Sequence, residues 1–161
     1  IHCKLCDDAG PYEETTLMNA SKKILIVDNE RHIRSLLKQA LRKLAEAGVE
    51  LLTAENGVEA LKIIDTACPD LIFLDLMMPG IHGFDVCRLI KSDARTRNTY
   101  IIILTARSQS VDKQMGNISG ADEYILKPFD PGHIAERSQQ ILQITLASKL
   151  TVTEQPTLQL F

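Results

Sequence analysis

Two patterns of apolar residues alternate along this chain. Short uninterrupted runs, residues 24–27 (ILIV), 71–74 (LIFL) and 100–104 (YIIIL), have the length and continuity of strands buried on both faces of a parallel sheet. Residues 50–54 and 123–126 predict two further strands. Between these runs the spacing is helical. Ile33, Leu36, Leu37, Ala40, Leu41 and Leu44 mark a first helix, Val58, Leu61 and Ile64 a second, and Phe84, Cys87 and Ile90 a third that runs to about Lys91. Val111, Met115 and Ile118 indicate a short fourth helix, weakened by Gly116 and Gly120. Ile134, Ile141, Leu142 and Leu146 belong to a last one, expected to reach about Leu150. On the first helix Arg31, Arg34, Lys38, Arg42 and Lys43 lie off the apolar stripe and predict an exposed basic side.

The residues between elements agree with this reading. Gly48 stops the first helix, Cys68-Pro69 closes the second and Gly83 opens the third. Asp130 is placed as an N-cap with Pro131 at the first helical position. Five strands alternating with five helices predict an α/β fold, a single doubly wound five-stranded parallel sheet with right-handed crossovers. Residues 1–20 have neither period and hold a Gly10-Pro11 breaker among Asp7, Asp8, Glu13 and Glu14, so a flexible leader or linker is expected there. Residues 21–150 then form the domain, and residues 151–161, broken by Pro156, a fraying tail.

Composition acts mainly by exclusion. A length of 161 residues suits one domain with a proper core. Eighteen basic against twenty-one acidic residues leave a net charge of −3, which gives no overall drive toward nucleic acid or an anionic membrane. No apolar run approaches the ~20 residues a spanning helix needs, and no signal sequence opens the chain, so a cytoplasmic location is expected. Of the four cysteines only Cys3 and Cys6 are close, and a lone C-x-x-C lacks the second pair that a four-ligand structural metal site wants. Without a secretory signal a disulfide framework is not expected either.

The candidate chemistry sits at the strand ends. Four of the five strands deliver polar residues at the carboxyl edge: Asp28 and Asn29, Asp75, Thr105, and Lys127. Open α/β sheets place their ligands at that edge. Each residue type has an ordinary structural use as cap, turn, strand former or solvated cation, but those uses do not explain their convergence. Clustered oxygen ligands suit Mg²⁺, and a hydroxyl and an ammonium nearby can take the remaining oxygens of a phosphoryl group.

The ordered motifs ILIVDNE, AENGVEAL, DLIFLDLMMPGIHGFDVCRLI, IIILTA and GADEYILKPF, spread over roughly residues 22–147, resemble a response-regulator receiver domain. The resemblance implies a flavodoxin-like fold with strand order 2-1-3-4-5. It places the phospho-acceptor at Asp75 and the metal site, for Mg²⁺, at Asp28, Asn29, Asp75 and the main-chain carbonyl of Met77. Phosphate contacts fall to Thr105 and Lys127, and the switch to Thr105 and Tyr124. Met77 and Arg107 would border the path of the hydrolytic water. Because Met77 orients water poorly, slow self-dephosphorylation is expected.

The implied donor is a phosphohistidine on a sensor histidine kinase or histidine phosphotransfer protein. The implied output surface comprises the helix near residues 111–118, the fifth strand and the last helix. No nucleic-acid or membrane contact is expected from this segment. The sequence departs from the family at Asn29, where a second acid is usual; an amide oxygen ligates Mg²⁺ without bringing charge. Glu30, at a helix start, is read as interacting with the helix dipole rather than as a ligand. Two other functions stay open at this level: a protein-interaction module of the same fold that signals without phosphate, and a phosphohydrolase, which needs a second acid where Met77 stands.

Overall fold

A computed structural model of the chain describes residues 21–106, 120–144 and 146. Five strands, β1 (Lys23–Val27), β2 (Glu50–Ala54), β3 (Leu71–Asp75), β4 (Tyr100–Thr105) and β5 (Glu123–Leu126), form one sheet in the order β2-β1-β3-β4-β5. Every neighbouring pair is parallel. The described helices are α1 (Arg31–Ala40), α2 (Arg42–Glu46), α3 (Gly57–Ala67), α4 (Gly83–Ser92) and α5 (Pro131–Leu142). The expected sheet and strand order are therefore found. The helix expected at 111–118, the leader at 1–20, the tail at 151–161 and Arg107 lie outside the described residues.

Alternation within the apolar strands explains the layering. Successive side chains of a strand point to opposite faces. Leu25 and Val27, Ile72 and Leu74, and Ile101 and Ile103 all belong to one core cluster, packed with Ala60 and Ile64 of α3 and Val86, Cys87 and Ile90 of α4. The alternate residues Ile24, Ile26, Leu71, Phe73, Ile102 and Leu104 belong to the other, with Leu37 of α1, Leu44 of α2 and Ile134 and Leu142 of α5. Helices thus cover both faces, and the central strands need apolar residues at every position. Cys68 is the left-handed residue that ends α3, and Cys87 is buried in α4. Among the described residues no helix is long and apolar enough to cross a membrane.

Helix ends follow local chemistry. Asn56, the N-cap of α3, accepts at Oδ1 from the Glu59 amide at 2.9 Å, and Glu59 accepts at Oε2 from the amide of Glu55, the residue before the cap, at 2.8 Å. Asp130 accepts from the His133 amide at 2.8 Å, so the predicted cap and its following proline are in place. Three expectations need correction. The first helix is interrupted at Leu41, whose ψ of 4° starts a new short segment although its amide still donates to the Leu37 carbonyl. The last helix stops at Leu142, because Gln143 adopts a left-handed φ of 56° and the Ile144 amide folds back onto the Gln139 carbonyl, in the manner of a Schellman ending.

The third correction concerns faces. Arg34, expected on the exposed basic side, is only 9% exposed, and the buried line is Arg34, Leu37, Leu41 and Leu44. That line follows i, i+3, i+7, i+10 spacing, one face of the helix. Val58, expected on the apolar stripe of its helix, is half exposed, and Gly57, Ala60 and Ile64 take the buried face instead.

Candidate functional site

Parallel register brings the strand ends together. Val27 pairs with Leu74, so Asp28 and Asp75 follow side by side at the ends of β1 and β3. Asp75 pairs with Leu104, which puts Thr105 one step further along the next strand. Thr105 in turn pairs with Leu126, and the Lys127 amide donates to the Thr105 carbonyl at 2.7 Å. Three of these side chains are withdrawn from solvent: Asp28 is 0% exposed, Thr105 2% and Asp75 4%.

The Lys127 ammonium joins the two acids. Nζ lies 2.7 Å from Asp28 Oδ2, to which it donates, and 3.3 Å from Asp75 Oδ1, with Glu30 Oε1 further off at 3.9 Å. The other oxygen of Asp28 accepts from the Glu30 amide at 2.8 Å. The Asp75 carboxylate accepts a hydrogen bond from the Met77 main chain. Burial raises the Asp75 pKa above the ordinary carboxylate value, the neighbouring Asp28 charge raises it further, and Lys127 and the Met77 amide only partly oppose them. At Lys127 burial favours the neutral form, but the hydrogen bond to Asp28 and the charges of Asp75 and Asp28 outweigh it, and the pKa is raised.

Two buried carboxylates against one ammonium leave an excess of negative charge that a cation would relieve. The donors suit a hard ion: Mg²⁺ is held by one or two carboxylates, carbonyl oxygens and waters rather than by an all-protein cage. No group of three or more His, Cys, Asp or Glu side chains is gathered for a metal among the described residues. Asp28 and Asp75 fit this chemistry. Asn29 is exposed next to Asp28.

Of the residues singled out from sequence, the fold brings together Asp28, Asp75 and Lys127, with Thr105 on the adjoining strand end. Met77 meets Asp75 through its amide while its side chain stands in solvent. Tyr124, opposite Ile103 on β5, is half-buried against the core cluster on the α3 and α4 face. Two residues near the site were not anticipated. Gly83 backs directly onto it: a Cβ there would lie 2.5 Å from the Asp75 carbonyl oxygen and 2.9 Å from Leu76 Cα. Arg34 donates from Nη1 to the Asp28 carbonyl at 2.7 Å and from Nη2 to the Glu55 carboxylate. Its shared spacing with Leu37, Leu41 and Leu44 was the available signal, overridden by its charge.

Comparison with known proteins bears on the same segment. Residues 24–139 match the response regulator receiver domain family. The chain is 40% identical over 123 residues to the alkaline phosphatase synthesis transcriptional regulatory protein PhoP of Bacillus subtilis, covering 76% of this chain and 49% of that protein. It is 43% identical over 124 residues to the phosphate regulon transcriptional regulatory protein PhoB of Pseudomonas aeruginosa, covering 77% of this chain and 53% of PhoB. The chain thus spans about half the length of the curated relatives it matches. Among solved structures, the chemotaxis response regulator CheY4 of Vibrio cholerae superposes with a TM-score of 0.67 at 31% identity, covering 75% of this chain and 98% of CheY4. The chain belongs to the response regulator receiver domain family of two-component signalling systems.

Proposed function

We propose that Asp75 is the phospho-acceptor of this receiver, taking a phosphoryl group from a phosphohistidine of a sensor histidine kinase or histidine phosphotransfer protein. The observation that carries the reading is the Lys127 ammonium shared between two buried carboxylates at the carboxyl edge of the sheet. In the transfer an Asp75 carboxylate oxygen attacks phosphorus, the phosphorus–nitrogen bond breaks, and the imidazole leaves with its electron pair and takes up a proton. Lys127, already within reach of Asp75 Oδ1, offsets charge on the incoming phosphoryl oxygens. Asp28 and Asp75 would hold Mg²⁺, with the Met77 carbonyl and the Asn29 amide completing the protein donors, and the bound ion would supply further neutralisation of those oxygens.

The product is an aspartyl-phosphate at the end of β3. The Thr105 hydroxyl donates to the new group from the adjoining strand, and Tyr124, half-buried on β5, moves inward into the space Thr105 leaves. Residues 111–118, β5 and α5 transmit the change to an output partner. Met77, exposed at the mouth of the site, and Arg107 tune the removal of the phosphoryl group by water, and Met77 makes that removal slow. Residues 21–150 act as the receiver unit.

Acetyl phosphate with Mg²⁺ should add the mass of one phosphoryl group to the protein, mapped by peptide analysis to Asp75, and Asp75→Asn should abolish it. A protein left unmodified under conditions that load another receiver overturns the assignment.

A further inference from the structure

Asp28 is fixed at four points. Its amide donates to the Ala54 carbonyl at 3.2 Å, its Oδ1 accepts from the Glu30 amide and its Oδ2 from Lys127. The fourth is its main-chain carbonyl, which accepts from Arg34 Nη1 at 2.7 Å. That carbonyl lies before the first acceptor of α1, since the Ile33 and Arg34 amides both go to Glu30. Asp28 is fully buried, so losing Arg34 would strand the carbonyl without a donor.

Arg34 is also anomalous as a helix residue. It continues the buried line of Leu37, Leu41 and Leu44, where an aliphatic side chain would extend the core without the cost of desolvating a guanidinium. The fork of the guanidinium serves two loops at once, Asp28 after β1 and Glu55 after β2. The Glu55 end is mostly exposed and worth little by itself. The Asp28 end is buried and sits directly behind a carboxylate held against the charge of Asp75.

We infer that Arg34 is a positioning residue for divalent-cation binding: by holding the Asp28 carbonyl it fixes the orientation of the Asp28 carboxylate and of the Asn29 that follows. The inference rests on the phospho-acceptor reading above. Partners behind a metal ligand are worth about 10- to 100-fold in metal affinity, and Arg34→Met, which keeps the stem and removes the donors, should weaken binding by about tenfold or more.

Mn²⁺, titrated into the full chain and followed by the loss of free-ion paramagnetic resonance, is the probe, with thermal melting and acetyl phosphate loading run on the same samples. Arg34→Met should bind Mn²⁺ more weakly and need more metal for loading, approaching the parent rate at saturation. Glu55→Gln, which leaves the Asp28 contact, should bind within about twofold of the parent on the scale of an exposed pair. Unchanged Mn²⁺ affinity in Arg34→Met, even with a lowered melting point, means a purely structural role and overturns the inference. Equal weakening in Glu55→Gln also overturns it, by assigning the effect to the surface ion pair. Should Arg34→Met fail to fold, Arg34→Gln, which stays polar but is too short to keep the contact with the Asp28 carbonyl, takes its place, and unchanged affinity is again the overturning result. A parent that loads at Asp75 while Arg34→Met keeps its affinity removes only the role of Arg34, whereas a parent that neither binds Mn²⁺ nor loads removes the phospho-acceptor reading and this inference with it.

Discussion

The acidic residues at the sheet edge are held where their charges oppose one another, and this has measurable consequences residue by residue. Asp75 has a folded pKa above its ordinary value, so over the intervening pH range the folded state binds more protons than the unfolded state. Stability contributed by protonated Asp75 is therefore fully present below the ordinary carboxylate pKa and is lost as pH rises through the raised folded value. Asp75→Asn, neutral at every pH, should melt a few degrees higher than the parent near neutrality in metal-free buffer, the scale of about 1 kcal/mol in a domain of this size. The gain should vanish in acid. Melting curves across pH with a chelator present test this, and a lower melting point for Asp75→Asn at neutral pH would mean that the attraction to Lys127 outweighs burial and the Asp28 charge. Asn29 presents the opposite balance. Asn29→Asp adds a charge beside Asp28, and the gain in cation attraction should exceed the added repulsion because the cation is the largest local charge. Mg²⁺ affinity should rise by up to about tenfold, the scale of one unit of pKa interaction, with loading rates converging at saturating metal. Equal affinities in a metal titration would remove Asn29 from the ligand set.

Among the elements, α4 depends most closely on the site. Its first residue, Gly83, packs against the Asp75 carbonyl and the Leu76 backbone, atoms that cannot yield as a flexible side chain can. Gly83→Ala should cost about 1 to 3 kcal/mol, the range for overpacking, and should also slow acetyl phosphate loading because the strand end carrying Asp75 must shift. Denaturant midpoints and loading rates measured together check both parts. A Gly83→Ala protein that loses stability but loads at the parent rate would show that the strain is absorbed by α4. Sequence reading recovered this element well: Gly83 as its start, Phe84, Cys87 and Ile90 on one side, and an end near Lys91, against an observed span of Gly83–Ser92. The first helix is less legible, because charge ordinarily goes with exposure, and Arg34 is charged and buried. The end of α5 is not legible either. Gln143 carries no turn signature of its own, and only its left-handed conformation shows that the helix closes there.

For the molecule as a whole, the parallel sheet converts sequence order into a site. Lys127 and Asp28 are 99 residues apart and hydrogen-bonded. What the sequence by itself determined is the alternation of strand and helix, the burial of the central strands on both faces and the set of polar residues at the carboxyl ends, since each is a local pattern of side-chain type and spacing. The ordered motifs added the family, and with it the strand order and the choice of Asp75. What only the tertiary structure decided is how the groups meet: that Lys127 bridges Asp28 and Asp75, that the Met77 amide turns onto Asp75, that Gly83 abuts its carbonyl and that Arg34 turns inward to hold Asp28. These contacts depend on the register between strands and the seating of each helix on the sheet. Those are set by packing between segments distant in the chain, for which no local spacing rule exists.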